Sequence, residues 1–208
     1  DACDFSGILD QDNHDHDMEY LHGHSDEEHS HVHKHGHEHR GMKEIREIIE
    51  GSSISTRAKQ TALRIFEILA EAESKAHGVP VEEVHFHEVG AVDSIVDIVS
   101  IAVCLDDLDV TDVVVPVLYD GTGFIRCQHG QIPVPVPAVV NVAQANHLKL
   151  KITDIEGELV TPTGAAVVAA VRTSEKLPED FEILATGLGA GKRQYRCPGI
   201  LRAMLIRS

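Results

Sequence analysis

Ten histidines lie between His14 and His39, alternating with Asp, Glu, Gly and Ser and with almost no apolar side chains among them. A stretch of this composition cannot bury enough surface to offset the entropy of ordering it, so it cannot form a core of its own. Residues 1–40 therefore read as a mobile, acidic, low-complexity arm, and any folded domain must be built from 41–208. Eleven Asp and Glu residues stand in the arm against Lys34 and Arg40, so it carries −9 of the formal net charge of −16.

Neutral imidazole is the commonest metal ligand, and the arm supplies it in excess. His14, His16, His22, His24, His29, His31, His33, His35, His37 and His39 fall mostly two residues apart. In an extended backbone alternate side chains point the same way, so His29 to His39 can form one row of nitrogens. Such a row suits nickel, copper, zinc or cobalt rather than magnesium or calcium. A solvated polar linker is the plainer alternative, but a linker does not require this composition. An expression tag fits poorly, because the run is interspersed and lies away from both termini.

The chain has 208 residues, 42% of them hydrophobic, enough for a core in one or two domains. Its acidic balance argues against nucleic acid or an anionic membrane as a partner over a broad surface. No apolar run reaches transmembrane length, and no signal peptide is apparent. Cys3, Cys104, Cys127 and Cys197 make no CxxC pair and read as reduced thiols in a cytoplasmic protein. The start at Asp1, without an initiator Met, suggests a piece of something longer.

Beyond the arm, the pattern predicts a short helix over 42–50, ended by Gly51. Ser55 or Thr56 caps a long amphipathic helix to His77, with Ala58, Ala62, Ile65, Phe66 and Leu69 at helical spacing. Residues 91–108 are apolar nearly all round and read as a buried helix, with a strand pair as the competing assignment. Strands are expected over 113–117, 125–128, 148–155, 181–186 and 200–206, and helices over 137–145 and 161–172. Pro133, Pro135 and Pro137 force an extended, edge-like segment between them. Helices alternating with strands imply an α/β or α+β domain with a mixed sheet flanked by helices.

Four constellations can carry chemistry. His85, His87 and Glu88 precede Asp93, and Asp93, Asp97 and Ser100 share one stripe of an otherwise apolar helix. Buried carboxylates need a partner or a metal, so His85, His87, Glu88 and Asp93 are candidates for metal or acid–base work, against a plain reading of Asp93 as a helix cap. In GELVTPTGAA, over 157–166, Thr161 is an N-cap and Pro162 the first helical residue. Small residues there leave first-turn N–H groups open, which makes Thr161, Thr163 and Gly164 a candidate anion seat. In GLGAGKR, over 187–193, Gly189 and Gly191 with Lys192 and Arg193 can cradle phosphate oxygens, against a bulged hairpin as the plain alternative. Gly121, Gly123 and Arg126 form a turn, and His129 stands close enough in sequence to face the same cleft.

The strings HFHEVGAVDSIVDIV, QHGQIPVPVPA, GELVTPTGAA and GLGAG, in this order and behind a His-rich insert, resemble the LarC family of nickel insertion proteins from about His14 onward. The resemblance implies a lyase-type nickel cyclometallase. Such an enzyme inserts nickel into a pyridinium bis-thiocarboxylate mononucleotide to form the nickel-pincer cofactor of lactate racemase. It implies CTP hydrolysis with Mn or Mg, at a site outside this chain, and hand-over of the cofactor to lactate racemase or related apo-enzymes. It also implies that the family's opening segment and C-terminal domain are absent, so that this stretch binds nickel and the mononucleotide without completing the reaction alone. A homo-oligomer is expected. The rival readings are a nickel-storing protein or metallochaperone without turnover, and a metal-dependent hydrolase built on HFHE.

Overall fold

The computed structural model describes residues 41–84, 86, 92–127 and 130–208. They fall into two compact units, 41–109 and 110–208. The His-rich arm and His85, His87, Glu88 and His129 lie outside the described residues.

The unit 41–109 is helical. It contains α1 (Met42–Gly51), α2 (Thr56–His77), a single 3-10 turn (Val81–Glu83) and α3 (Val92–Asp107). Ile45 and Ile49, four residues apart, give α1 one buried stripe. Helix α2 presents Ala58, Ala62, Ile65, Phe66 and Leu69 on its buried side, and Phe86 packs edge-on against Phe66 with ring centroids 6.0 Å apart. Ser55 is the N-cap predicted for α2, with its hydroxyl oxygen accepting from the Ala58 N–H at 3.0 Å. The same hydroxyl donates to the Asp106 carboxylate at 2.5 Å, tying the start of α2 to the end of α3.

Helix α3 departs from its prediction. Its run of β-branched residues is helical, but only Ile95, Ile98 and Ala102 are buried. Val96 and Val99 are half-buried, and Val103 and Asp97 are exposed. The even spread of apolar residues hid which side faces α2, because position on a helix, not composition, selects the buried stripe.

The unit 110–208 combines both element types and bears out the mixed α/β reading. Strand β1 (Leu118–Thr122) runs parallel to β4 (Leu150–Glu156). Between them in sequence come the hairpin β2 (Phe124–Cys127) with β3 (Gly130–Pro133) and helix α4 (Pro137–Ala145), so β1, α4 and β4 form a parallel crossover unit. Helix α5 (Pro162–Val171) follows β4 and packs on α4, burying Val139, Val142, Ala143, Ala165 and Ala166. The chain ends in an antiparallel pair, β5 (Glu182–Ala190) and β6 (Ile200–Arg207). The described strands thus form three separate pairs, one parallel and two antiparallel, rather than one sheet.

Two strand predictions are corrected. The apolar run over 113–117 is not a strand, and it makes only one bridge, Val114 to Ser174. The paired strand begins at Leu118, because β4 offers its ladder there, with Leu118 opposite Leu150. The glycines of GLGAG do not form a loop. Gly187 and Gly189 stand inside β5 opposite Ala203 and Leu201, and the connection to β6 begins at Gly191.

Candidate functional site

The parallel strands β1 and β4 end side by side, with Thr122 opposite Glu156. In parallel α/β units ligands bind beyond the carboxyl ends of the strands, where loops and helix N-termini gather. Here the segments that follow both strands are glycine-rich, and they are locked together.

Asp120, on β1, is the centre of that lock. It is completely buried, and its Oδ1 accepts three backbone N–H groups: Gly121 at 2.8 Å, Leu159 at 3.0 Å and Val160 at 3.0 Å. One oxygen therefore joins the turn after β1 to the segment leading into α5. The Gly157 N–H adds a bond to the Thr122 carbonyl at 2.9 Å. The approach is so close that a Cβ on Gly121 would lie 1.8 Å from the Gly157 oxygen, so only glycine fits there. Gly157 itself has φ of +108°, outside what other residues adopt comfortably, and a Cβ there would lie 3.0 Å from the Tyr195 ring. Asp120 Oδ2 is also buried and has no hydrogen-bond partner among the described residues. An oxygen in that condition costs about 1–3 kcal/mol.

The neighbouring Glu158 is buried as well, and it pairs with Arg193 at 3.0 Å. The Tyr195 hydroxyl donates to the Glu158 carbonyl. These contacts bring the loop after β5 onto the segment after β4. That loop is closed at its base by the Gly191 N–H donating to the Gly199 carbonyl at 3.0 Å. Burial works against the charge of Arg193, but the Tyr195 hydroxyl and the Glu158 carboxylate outweigh it and raise the guanidinium above its ordinary value. About a third of the Arg193 side chain remains exposed, at 32%, and one bond to Glu158 leaves further N–H donors of the fork for an anion. Lys192 beside it is exposed.

Thr161 caps α5 as predicted, its hydroxyl oxygen accepting from the Gly164 N–H at 3.1 Å. The cap uses one of the first-turn donors. Thr161 and Gly164 are exposed, so this helix end faces solvent. Of the residues predicted to hold phosphate, Gly191, Lys192 and Arg193 lie on the loop and Thr161, Thr163 and Gly164 on the first turn of α5. The Glu158–Arg193 pair links the two segments. Gly189 stands apart, inside the β5–β6 ladder.

In the other unit, Asp93 sits in the first turn of α3, where its Oδ1 accepts from the Ser94 N–H at 2.9 Å. Asp97 on the same stripe is exposed rather than buried. Among the described residues no group of three or more His, Cys, Asp or Glu side chains is placed to hold a metal ion. No described helix is long and apolar enough to cross a membrane.

Sequence reasoning missed Asp120, Glu158 and Tyr195. An Asp before Gly-Thr-Gly reads as turn chemistry, and nothing local says that its carboxylate will meet N–H groups about forty positions away.

A family described as "Nickel insertion protein" matches residues 14–208. Several curated relatives carry the name pyridinium-3,5-bisthiocarboxylic acid mononucleotide nickel insertion protein. The one from Alkaliphilus metalliredigens is 54% identical over 167 residues, covering 80% of this chain and 40% of the relative. The one from Akkermansia muciniphila is 47% identical over 170 residues, covering 81% and 41%. The one from Clostridium acetobutylicum is 43% identical over 164 residues, covering 79% and 39%. The chain thus spans about 40% of the length of the curated relatives it matches. No solved structure matches it.

Proposed function

We propose, since the chain belongs to the nickel insertion protein family, that it collects nickel and seats the pyridinium-3,5-bisthiocarboxylic acid mononucleotide into which nickel is inserted. The observation that carries this reading is the junction beyond β1 and β4, where Glu158 holds Arg193 at the edge of a glycine-lined, helix-capped segment. A mononucleotide brings a phosphate, and a planar guanidinium and a solvent-facing helix start are both chemistry suited to it.

In this reading Arg193, Lys192, Gly191, Thr163 and the first turn of α5 hold the phosphate, with Gly189 and His129 as further candidates. The arm histidines His14 to His39 gather nickel, which arrives as substrate. His85, His87, Glu88 and Asp93 receive the metal or take the proton that leaves the pyridinium carbon as the nickel–carbon bond forms. Thiocarboxylate sulfurs and imidazoles are both ligands that nickel accepts, so transfer from one set to the other is chemically direct. CTP hydrolysis with Mn or Mg belongs to the same proposal, as does hand-over of the finished cofactor to lactate racemase in the cytoplasm. The described residues offer no cluster fit to hold that divalent ion.

The rival reading, a nickel store without turnover, explains the arm but leaves the Asp120–Glu158–Arg193 junction without a purpose. The two separate cleanly in an insertion assay on the full-length protein with excess nickel, the mononucleotide, CTP and Mn or Mg. Deleting 14–39 should leave product formation largely intact, whereas His87→Ala should abolish it. Loss on deletion with no effect of His87→Ala would favour the store.

A further inference from the structure

Asp120 is the one described residue whose buried side chain keeps an oxygen unpaired. Its other oxygen is saturated by three backbone N–H groups, which fix the carboxylate plane on a parallel strand two residues before its carboxyl end. Unpaired buried oxygens persist where they await a donor. Three classes of donor are conceivable, a water, a cation and a ligand hydroxyl or amine, and only the last gives a preference for a hydroxylated ring. No further His, Cys or carboxylate completes a cation site with it among the described residues.

The mononucleotide narrows the choice. Its pyridinium nitrogen bears no proton, and its thiocarboxylates and phosphate are acceptors at neutral pH. Its standing hydrogen-bond donors are the ribose hydroxyls. A carboxylate near a strand's carboxyl end, close to a phosphate seat on a following helix, is the arrangement by which parallel α/β units recognise ribose.

Resting on the phosphate seat proposed above, we infer that Asp120 Oδ2 accepts a hydrogen bond from a ribose hydroxyl of the bound mononucleotide. The oxygen is enclosed in the structure, so the hydroxyl reaches it as the Gly121–Gly123 turn moves aside. Oδ1, held by the Leu159 and Val160 N–H groups, keeps the carboxylate in place while it does. This makes Asp120 a substrate-binding residue that discriminates a ribose phosphate from a bare one.

The test is calorimetric titration of the full chain with three probes: inorganic phosphate, ribose 5-phosphate and tetrahydrofurfuryl phosphate, which is the ring without its hydroxyls. The wild-type chain should bind ribose 5-phosphate about tenfold more tightly than tetrahydrofurfuryl phosphate. Asp120→Asn keeps an acceptor for the three N–H groups but puts an amide donor where Oδ2 was. It should lose that preference while holding inorganic phosphate as before. Equal wild-type affinity for the two ring phosphates overturns the inference and leaves the phosphate seat standing, and so does an Asp120→Asn chain that keeps the full preference. If wild type binds none of the three, or Arg193→Ala changes nothing, the seat itself falls and the inference with it. Should Asp120→Asn fail to fold, the comparison of ring phosphates on the wild-type chain decides alone.

Discussion

The two units are organised around opposite centres. In 41–109 the interior is apolar, Ile45, Ile65, Phe66 and Ile98 stacked between helices, and the polar contacts such as Arg57 to Asp109 at 3.0 Å are at the rim. In 110–208 two carboxylates, Asp120 and Glu158, are buried beside glycines, while Ile183, Leu184, Ile200, Leu201 and Leu205 of the β5–β6 pair are exposed. A helical stack of the first kind tolerates local adjustment, because dispersion contacts are many and individually small. A polar centre of the second kind tolerates less, because a buried donor or acceptor moved off its partners is left unsatisfied unless a new partner replaces them. The second arrangement is a costly way to stabilise a fold and a good way to fix side chains for a ligand, which is why the phosphate seat is proposed there.

The contrast can be broken most forcefully at Gly121. Gly121→Ala puts a carbon 1.8 Å from the Gly157 oxygen, and the 110–208 unit should lose about 4 kcal/mol or more. Thermal unfolding followed by circular dichroism would show this as loss of the cooperative transition, and a wild-type melting curve would refute the lock. In the helical unit the comparable substitution is Phe66→Ala, expected to cost about 3–4 kcal/mol through the cavity left beside Phe86. Denaturant titration reads it, and an effect under about 1 kcal/mol would mean that the helices repack freely.

Smaller changes sharpen the comparison. Thr161→Ala removes the α5 cap and should cost about 1 kcal/mol, with Thr161→Ser restoring it, again by denaturant titration. The smallest effect belongs to the surface. Arg196 holds the fully exposed Asp154 carboxyl below the usual aspartate range, first through a hydrogen bond and then through its charge. A depressed carboxylate contributes stability above its unfolded pKa and loses it as pH falls through the lower folded value. Solvent screens this pair, so Asp154→Asn should leave the melting temperature at pH 7 unchanged, and a drop of several degrees would give the surface a weight this account denies it.

Much of this was legible where the signal is local. Ser55, Thr161 and Pro137 mark helix starts because caps and N1 prolines act within one turn, and α2, α4 and α5 follow from them. Strands are another matter, since a strand exists only where a partner offers its ladder. Hence the apolar run over 113–117 lost its assignment to Leu118–Thr122, and the glycines of GLGAG proved to be ladder rather than loop. At the site, Arg193 and Thr161 were readable as a cation and a cap. Asp120 was not, because two of its three partners, the Leu159 and Val160 N–H groups, are brought to it by the crossover between β1 and β4 and not by anything beside it in sequence. His85, His87, Glu88 and His129 remain proposals drawn from their spacing.

The central claim is that the Glu158–Arg193 junction seats the substrate's phosphate while the arm handles metal. Calorimetric titration of the mononucleotide into the wild-type chain and into Arg193→Ala, with nickel binding measured on the same samples, tests it most directly. The account expects at least tenfold weaker nucleotide binding in Arg193→Ala with nickel stoichiometry unchanged. Unchanged nucleotide affinity would contradict it.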